Sequence, residues 1–564
     1  MATTNGITTL GSRTFLFGAA SGIDTSALVT AAYNARKVEA DKIDIQVKNN
    51  TAKYEAYDKI RSLSNAVQTS LSNIKKNYSV LSDNKAMFDQ RAGALSTNTS
   101  VSAAALIDVK LDPGTDIGAY ELTIEKKGQA HRVASSTSGS ATVPLGFVGD
   151  FSIGVAGKAA TSVSVTAGMT LTDLAAAINT GTQTSGVKAT IAKVSATQYE
   201  LVLTGSDINK EIEITGISGD NVMRNIGVTD AGGAFVTELQ VAQPAVVNLD
   251  GISYSRDTNS ITDLIPGATI NVKNADPGTK INLSIENDNS AVKSGIQDFM
   301  EAYNNLRDFI KSQQVVSDGG VVSESAVLFG DSILSNLSGS LQSIIGGSYG
   351  AGGSNLATLR GVGITLDQNN KLVMDETIFD TATIDKFEQV RDIFQTKVTV
   401  DNSEFRMSKN TSTSGAQSFA MQITMSGPTI SSVSVGGDTN LFDISGTTIT
   451  GKVGTVYEGM SFAYIGTANT TVNIGVQPGL ADSLDVSLSK FTDILTGDLS
   501  KEMARITSQN TLLADRSARV LERAGAYRDS LINKYANFEA KLAQAQTVLA
   551  QLRALTGSDN SNNN

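Results

Sequence analysis

Cysteine and tryptophan are absent from the 564 residues, and histidine occurs once, at His131. Without cysteine there are no disulfides, thiolate metal sites or cysteine nucleophiles. One imidazole cannot build a cluster of histidine ligands, and most Ser/His or His/Glu catalytic pairings lack a partner. His131 is therefore read as structural, and no metal or cofactor is expected. No stretch approaches the roughly 18 apolar residues of a membrane-spanning helix. The apolar run Phe15 to Ala20 is too short, and too weakly preceded by basic charge, for a cleaved secretory signal. Basic charge is in deficit, with 45 Lys and Arg against 56 Asp and Glu and a net charge of −11. That balance repels phosphate backbones, and no Lys/Arg cluster with interleaved aromatics offsets it, so nucleic acid is excluded as a partner. The length predicts about three or four domains rather than one globule.

What is present is heptad order at the chain end. Leu499, Met503, Ile506, Asn510, Leu513, Ser517, Val520, Ala524, Tyr527 and Leu531 follow one another in alternating steps of four and three, the spacing of a coiled-coil seam. One extra step of four leads to Tyr535, and the series resumes through Phe538, Leu542, Ala545, Leu549 and Leu552. Such a stutter unwinds a supercoil locally without breaking it. At about 1.5 Å per residue this stretch predicts a helix of roughly 80 Å, longer than a compact domain needs.

A matching helix is expected near the other end. Asp24 reads as its N-cap, with Ile23 and Leu28 at the spacing of a hydrophobic staple. Apolar or small residues continue through Ala32, Ala35, Val38, Ile45, Ala52, Ala56, Ile60, Leu63, Val67, Leu71, Ile74 and Tyr78. Two helices of similar length predict antiparallel pairing. A third helix follows from Val292, Ile296, Phe299, Tyr303, Leu306 and Ile310.

The fold class predicted is α+β multidomain: a long helical coiled-coil or bundle stalk from both ends plus the middle helix, with β-rich head domains and an inserted all-β domain. Residues 1–21 are expected to be disordered. Residues 22–130 hold the first helix and a hairpin of the stalk domain, formed by "ALIDVKLD" and "AYELTIEK". Residues 131–235 form a β-rich head domain whose helix "TLTDLAAAINT" starts at Thr170 and Asp173 and buries Leu171, Leu174, Ala175 and Ile178. Residues 236–287 form a second β-rich head unit, and 288–395 the middle helix and the rest of the stalk, with a flexible "IIGGSYGAGGSN" and a hairpin around Asn369 and Asn370. Residues 396–478, poor in charge and rich in Thr, Ser and Gly, read as the inserted domain. Residues 479–556 contain the long C-terminal helix, and 557–564 a loose tail.

Three catalytic or binding motifs fail on inspection. "GGSYG" places Ser348 in a G-x-S-x-G pattern, but His131 lies on the wrong side of it in chain order. "GTTITGKV" approaches a P-loop until Val453 stands where Ser or Thr would hold magnesium. "DQNNKLVMDE" begins like a calcium loop, yet Leu372 replaces the turn glycine and Ile378 the bidentate acid.

Seven segments, in order, resemble one family, the bacterial flagellar filament cap or hook-associated protein 2 (FliD) family. They are "GIDTSALVTAAY", "GAYELTIEKKGQAHRVAS", "VVNLDGISYSRDTNSITDLIPGATINV", "GIQDFMEAYNNLRDFI", "LFGDSILSNL", "GVGITLDQNNKLVMDE" and "GLADSLD". "SVSVTAGMTLTDLAAAIN" resembles the repeat of hook-associated proteins and flagellins, and residues 396–478 are extra material relative to shorter members. The resemblance implies a non-enzymatic protein exported unfolded through the flagellar type III apparatus, secreted and located at the filament tip. It also implies a homo-oligomeric ring of about five subunits that promotes flagellin insertion. A hook–filament junction protein and an export chaperone are further implied partners. The alternatives are a junction protein and a surface adhesin binding host or matrix ligands. The residues expected to form the helix seam and oligomer contacts are Ile23, Leu28, Leu63, Val67, Leu513, Val520, Tyr527, Leu531, Tyr535, Phe538, Leu542 and Leu549.

Overall fold

The computed structural model describes residues 6–10, 13–18, 20–76, 78, 86–316, 319–349, 357–412 and 414–557. The fold is α+β, and the chain divides into two compact units, Met1–Asn84 with Lys293–Asn564, and Lys85–Val292.

In the first unit an N-terminal helix, Thr25–Ile74, pairs with a C-terminal helix, Asp498–Gly557. At 60 residues the latter is about 90 Å long, and it runs unbroken through Gly525 and the stutter. The pairing is antiparallel: Asn50 bonds Asn510, Asp44 bonds Ser517 and Glu39 bonds Arg516. The N-terminal helix stops earlier than the apolar series predicts. Lys75 turns extended, the Gln395 amide donates to the Ile74 carbonyl at 2.6 Å, and Tyr78 packs on the inserted domain instead. The middle helix, Asn289–Ser312, buries every one of its six predicted positions. A further helix, Ser332–Ile345, is capped by Asp331, whose other carboxylate oxygen accepts from the Tyr57 hydroxyl at 2.6 Å.

Within residues 1–21, expected to be disordered, residues 6–10 and 13–17 are instead antiparallel strands, pairing Ile7 with Leu16 and Thr9 with Thr14, while residues 1–5, 11, 12 and 19 lie outside the described residues. The β-branched and aromatic residues of "ITTL" and "RTFLF" favour extended strands. The turn at Asn369–Asn370 forms as expected: Asn370 takes φ +58°, and the Asp367 carboxylate accepts the Asn369 and Lys371 N–H groups. Of the glycine-rich run, residues 350–355 lie outside the described residues, while Ile345 and Tyr349 are buried. The tail beyond Gly557 also lies outside them.

The segment read as an insert is all-β. Two four-stranded antiparallel sheets share a core of Phe405, Met421, Ile449, Phe462, Tyr464 and Val472 among others. At its base Asp482 accepts from the Thr396 N–H and hydroxyl, and the helix Leu480–Thr492 ties to the N-terminal helix through Asp485, which pairs with Lys75 and Gln68.

The second unit has two cores. One lies under the helix Leu171–Thr180, whose Thr170–Asp173 capping box and buried Leu171, Leu174, Ala175 and Ile178 match the pattern read from the sequence. His131 is buried beside it. Its Nδ1 accepts the Ile212 N–H at 2.9 Å, which leaves Nε2 to donate to Glu238 at 3.1 Å. The other core lies under a five-stranded sheet in which Gly118–Lys126 sits between Ala245–Leu249 and Asp276–Asn287. This corrects the expected hairpin. Ile107–Leu111 and Gly118–Lys126 are strands, but they do not pair with each other. The first pairs with Ala268–Val272, and Leu122 of the second faces both Leu249 and Ile281. The segment assigned to the stalk thus shares its sheets with the second β-rich unit, because only there do both strands bury their apolar faces.

Candidate functional site

The helix pair contains the two longest helices described, and its seam begins as the heptads predict. Leu499, Met503, Ile506, Ser517, Val520 and Ala524 are buried, with Asn510 and Leu513 half-buried. On the N-terminal helix Ala56, Ile60, Val67, Leu71 and Ile74 are buried and Leu63 is half-buried. Nearer the start of that helix the register differs from expectation. Val29, Ala40 and Ile43 face inward, while Leu28, Val38 and Ile45 face solvent. Asp24 caps the helix through the Ala27 N–H at 3.0 Å, but Ile23 and Leu28 are 53% and 51% exposed and form no staple. The helix carries apolar residues on two different faces, and only one face can meet its partner.

Polar groups hold the register. The Asn50 amide donates to Asn510 Oδ1 at 2.9 Å, and Ser517 donates to Asp44 at 2.9 Å. A polar pair inside an apolar seam penalises other alignments. Leucine at both asparagines is expected to raise the melting temperature while admitting shifted registers. Cysteines placed at Glu39 and Arg516, in a chain that otherwise has none, then cross-link less completely than in the parent.

Toward the chain ends Ile532 packs on Val29, with Leu531 and Tyr535 half-buried around them. The guanidinium of Arg36 lies 3.7 Å from the centre of the Tyr527 ring, which otherwise faces solvent. Glu539, not Phe538, occupies the next inward position. Its carboxylate accepts the N–H groups of Ala20 and Ser21 at 3.0 and 3.2 Å as well as the Ser21 hydroxyl, and Gln546 donates to the Ala20 carbonyl at 2.8 Å. The Ser21 hydroxyl, with these backbone donors, holds Glu539 below its ordinary value of 4.5. A depressed carboxylate pKa contributes stability that is present above that value and lost as pH falls through the folded-state pKa. A fluorophore on Thr9→Cys is therefore expected to lose anisotropy as pH drops below about 4.5, whereas Glu539→Gln should show the low value throughout.

Beyond this clamp no other helix among the described residues pairs with the C-terminal helix. Leu542 is half-buried, but Phe538 is 51% exposed, Leu549 and Leu552 53% each, and Leu555 67%. No charged residue occurs from Leu542 to Gln551. Sequence reasoning missed Val29, Ala40, Ile43, Ile532 and Glu539. A parallel stripe beginning at Val29 was detectable, but nothing local marks Glu539 as an inward residue. Among the described residues no group of acidic or histidine side chains is arranged to hold a metal, and no helix is long and apolar enough to cross a membrane.

An antiparallel pair of helices of 50 and 60 residues, with half-exposed Phe538 and Leu549 toward its distal end, is the framework of a structural protein. Residues 242–547, more than half of the chain, match the family described as flagellar hook-associated protein 2 C-terminus, and residues 21–131 match its N-terminus. The chain belongs to the flagellar hook-associated protein 2 family. It is a filament cap protein of the bacterial flagellum and not an enzyme. Residues 150–207 match the flagellin hook IN motif. The flagellar hook-associated protein 2 of Aeromonas caviae is 26% identical over 399 residues, covering 67% of this chain and 80% of the relative. The A-type protein of Pseudomonas aeruginosa is 26% identical over 410 residues, covering 68% and 80%. The crystal structure of the D1-D2-D3 domains of the flagellar cap protein FliD from Escherichia coli aligns with a TM-score of 0.47 and 21% identity, over 60% of this chain and 90% of that one.

Proposed function

We propose that this chain is secreted, assembles as a homo-oligomeric ring at the distal end of the filament, and there promotes insertion of flagellin and prevents its loss. The ring of about five subunits follows family resemblance; closure requires one patch of each subunit to meet a different patch of the next. The observation that carries the reading is the half-exposed apolar stripe through Phe538 and Leu549, in a part of the helix that has no charged residue from Leu542 to Gln551. A helix bearing such a stripe is poorly soluble alone and gains from apolar cover. Of the twelve predicted residues, Val67 and Val520 are buried within the chain's own pair, and Leu63, Leu513, Leu531, Tyr535 and Leu542 partly so. Ile23, Leu28, Phe538 and Leu549 are free to contact neighbouring subunits, and Tyr527 borders them. Deleting the gene tests the reading. Release of flagellin monomer into the medium with no filament supports the cap; normal filaments with weaker attachment would sink it.

A further inference from the structure

On the middle helix Tyr303 and Arg307 stand one turn apart and so share a face. Tyr303 is fully buried and Arg307 only 6% exposed. A guanidinium offers five N–H donors and no acceptor. One of those of Arg307 reaches Ser338 Oγ at 3.0 Å, but among the described residues its buried Nε has no acceptor and the buried Tyr303 hydroxyl no partner. The ion pairs of this helix go elsewhere: Lys293 takes Glu376 and Asp380, and Asp308 takes Lys371. A buried cation without a counter-charge is strongly unfavourable. Burial pushes the Tyr303 phenol up to about 12, with the Arg307 charge acting in the opposite direction, so the two groups sense each other and the phenol keeps its proton at neutral pH. Both orphaned groups are therefore donors, and what they lack is a negatively charged acceptor.

We propose that Arg307, Tyr303 and Ser338 form a buried site for a small monovalent anion of the halide class. A monatomic anion accepts hydrogen bonds from several directions and carries the single charge needed to neutralise one guanidinium. It would join the middle helix to the helix Ser332–Ile345 independently of cap assembly.

The test replaces gluconate with chloride or bromide at constant ionic strength and follows thermal unfolding of the full chain. The parent should gain about 2–4 °C. Tyr303→Phe, which keeps the fold by retaining the ring, should gain less, and Arg307→Met nothing. Crystals grown in bromide should show an anomalous peak within hydrogen-bonding distance of Arg307 Nε. An equal gain in parent and both variants would reveal a general salt effect and overturn the proposal. So would no gain in the parent, or water in place of bromide at Arg307. If Arg307→Met does not fold, Tyr303→Phe and the bromide map still decide.

Discussion

Aspartate at Phe538, Leu549 and Leu552 together is expected to abolish capping while leaving the purified chain folded. Each of these side chains is at least half exposed, and surface substitutions away from buried features usually change stability by no more than about 0.5 kcal/mol. In an assembly the balance reverses. An aromatic anchor that becomes fully covered contributes about 2 kcal/mol or more to an interface, and a carboxylate buried in its place without a partner is costly. Three such changes along one stripe are enough to disrupt a ring. The measurements are the melting temperature of the variant, expected within a few degrees of the parent, and complementation of a deletion strain, expected to yield non-motile cells shedding flagellin. Normal filaments from the triple variant would remove the distal helix from the assembly surface.

Much of the helix pair was legible because a seam is a local pattern. From Leu499 to Ala524 the buried positions recur at steps of three and four, and few apolar residues lie elsewhere on that helix to compete. The N-terminal helix was harder to read, since apolar Leu28, Val38 and Ile45 lie on a different face from Val29, Ala40 and Ile43 and compete with them. Periodicity says that a stripe exists, not which stripe the partner takes.

Two other features depend on contacts distant in sequence. The strands at 107–111 and 118–126 were visible by alternation, but their partners lie more than a hundred residues away, so nearness suggested a hairpin that does not form. Glu539 sits inward because residues 20 and 21 turn their N–H groups toward it across more than five hundred residues of chain. A carboxylate inside a helical seam reads from sequence as a flaw; with three donors around it, it becomes an anchor. The motif helix at 171–180 was legible in full because its cap, box and buried face all lie within eleven residues.

Ile60→Asp should show the opposite balance, a large loss of stability. Ile60 is fully buried, and the alignment fixed by Asn50 and Asn510 sets it opposite the stretch that begins at Leu499, also fully buried. Ile60→Ala should cost about 2–5 kcal/mol through lost burial and the cavity left behind. Aspartate adds an unpaired charge, whose cost in a buried site is about 3–5 kcal/mol. These losses are comparable with the whole stability of a typical domain, about 5–15 kcal/mol. They should fall on one unit alone. Residues 85–292 have two cores of their own, centred on Leu174 and Leu203 and on Leu122 and Ile281. Calorimetry of the full chain should therefore show the transition of the helical unit moved down by many degrees and a second transition unchanged. Circular dichroism at the lower temperature should lose helix while retaining strand. A single transition, shifted as a whole, would mean that the two units unfold as one.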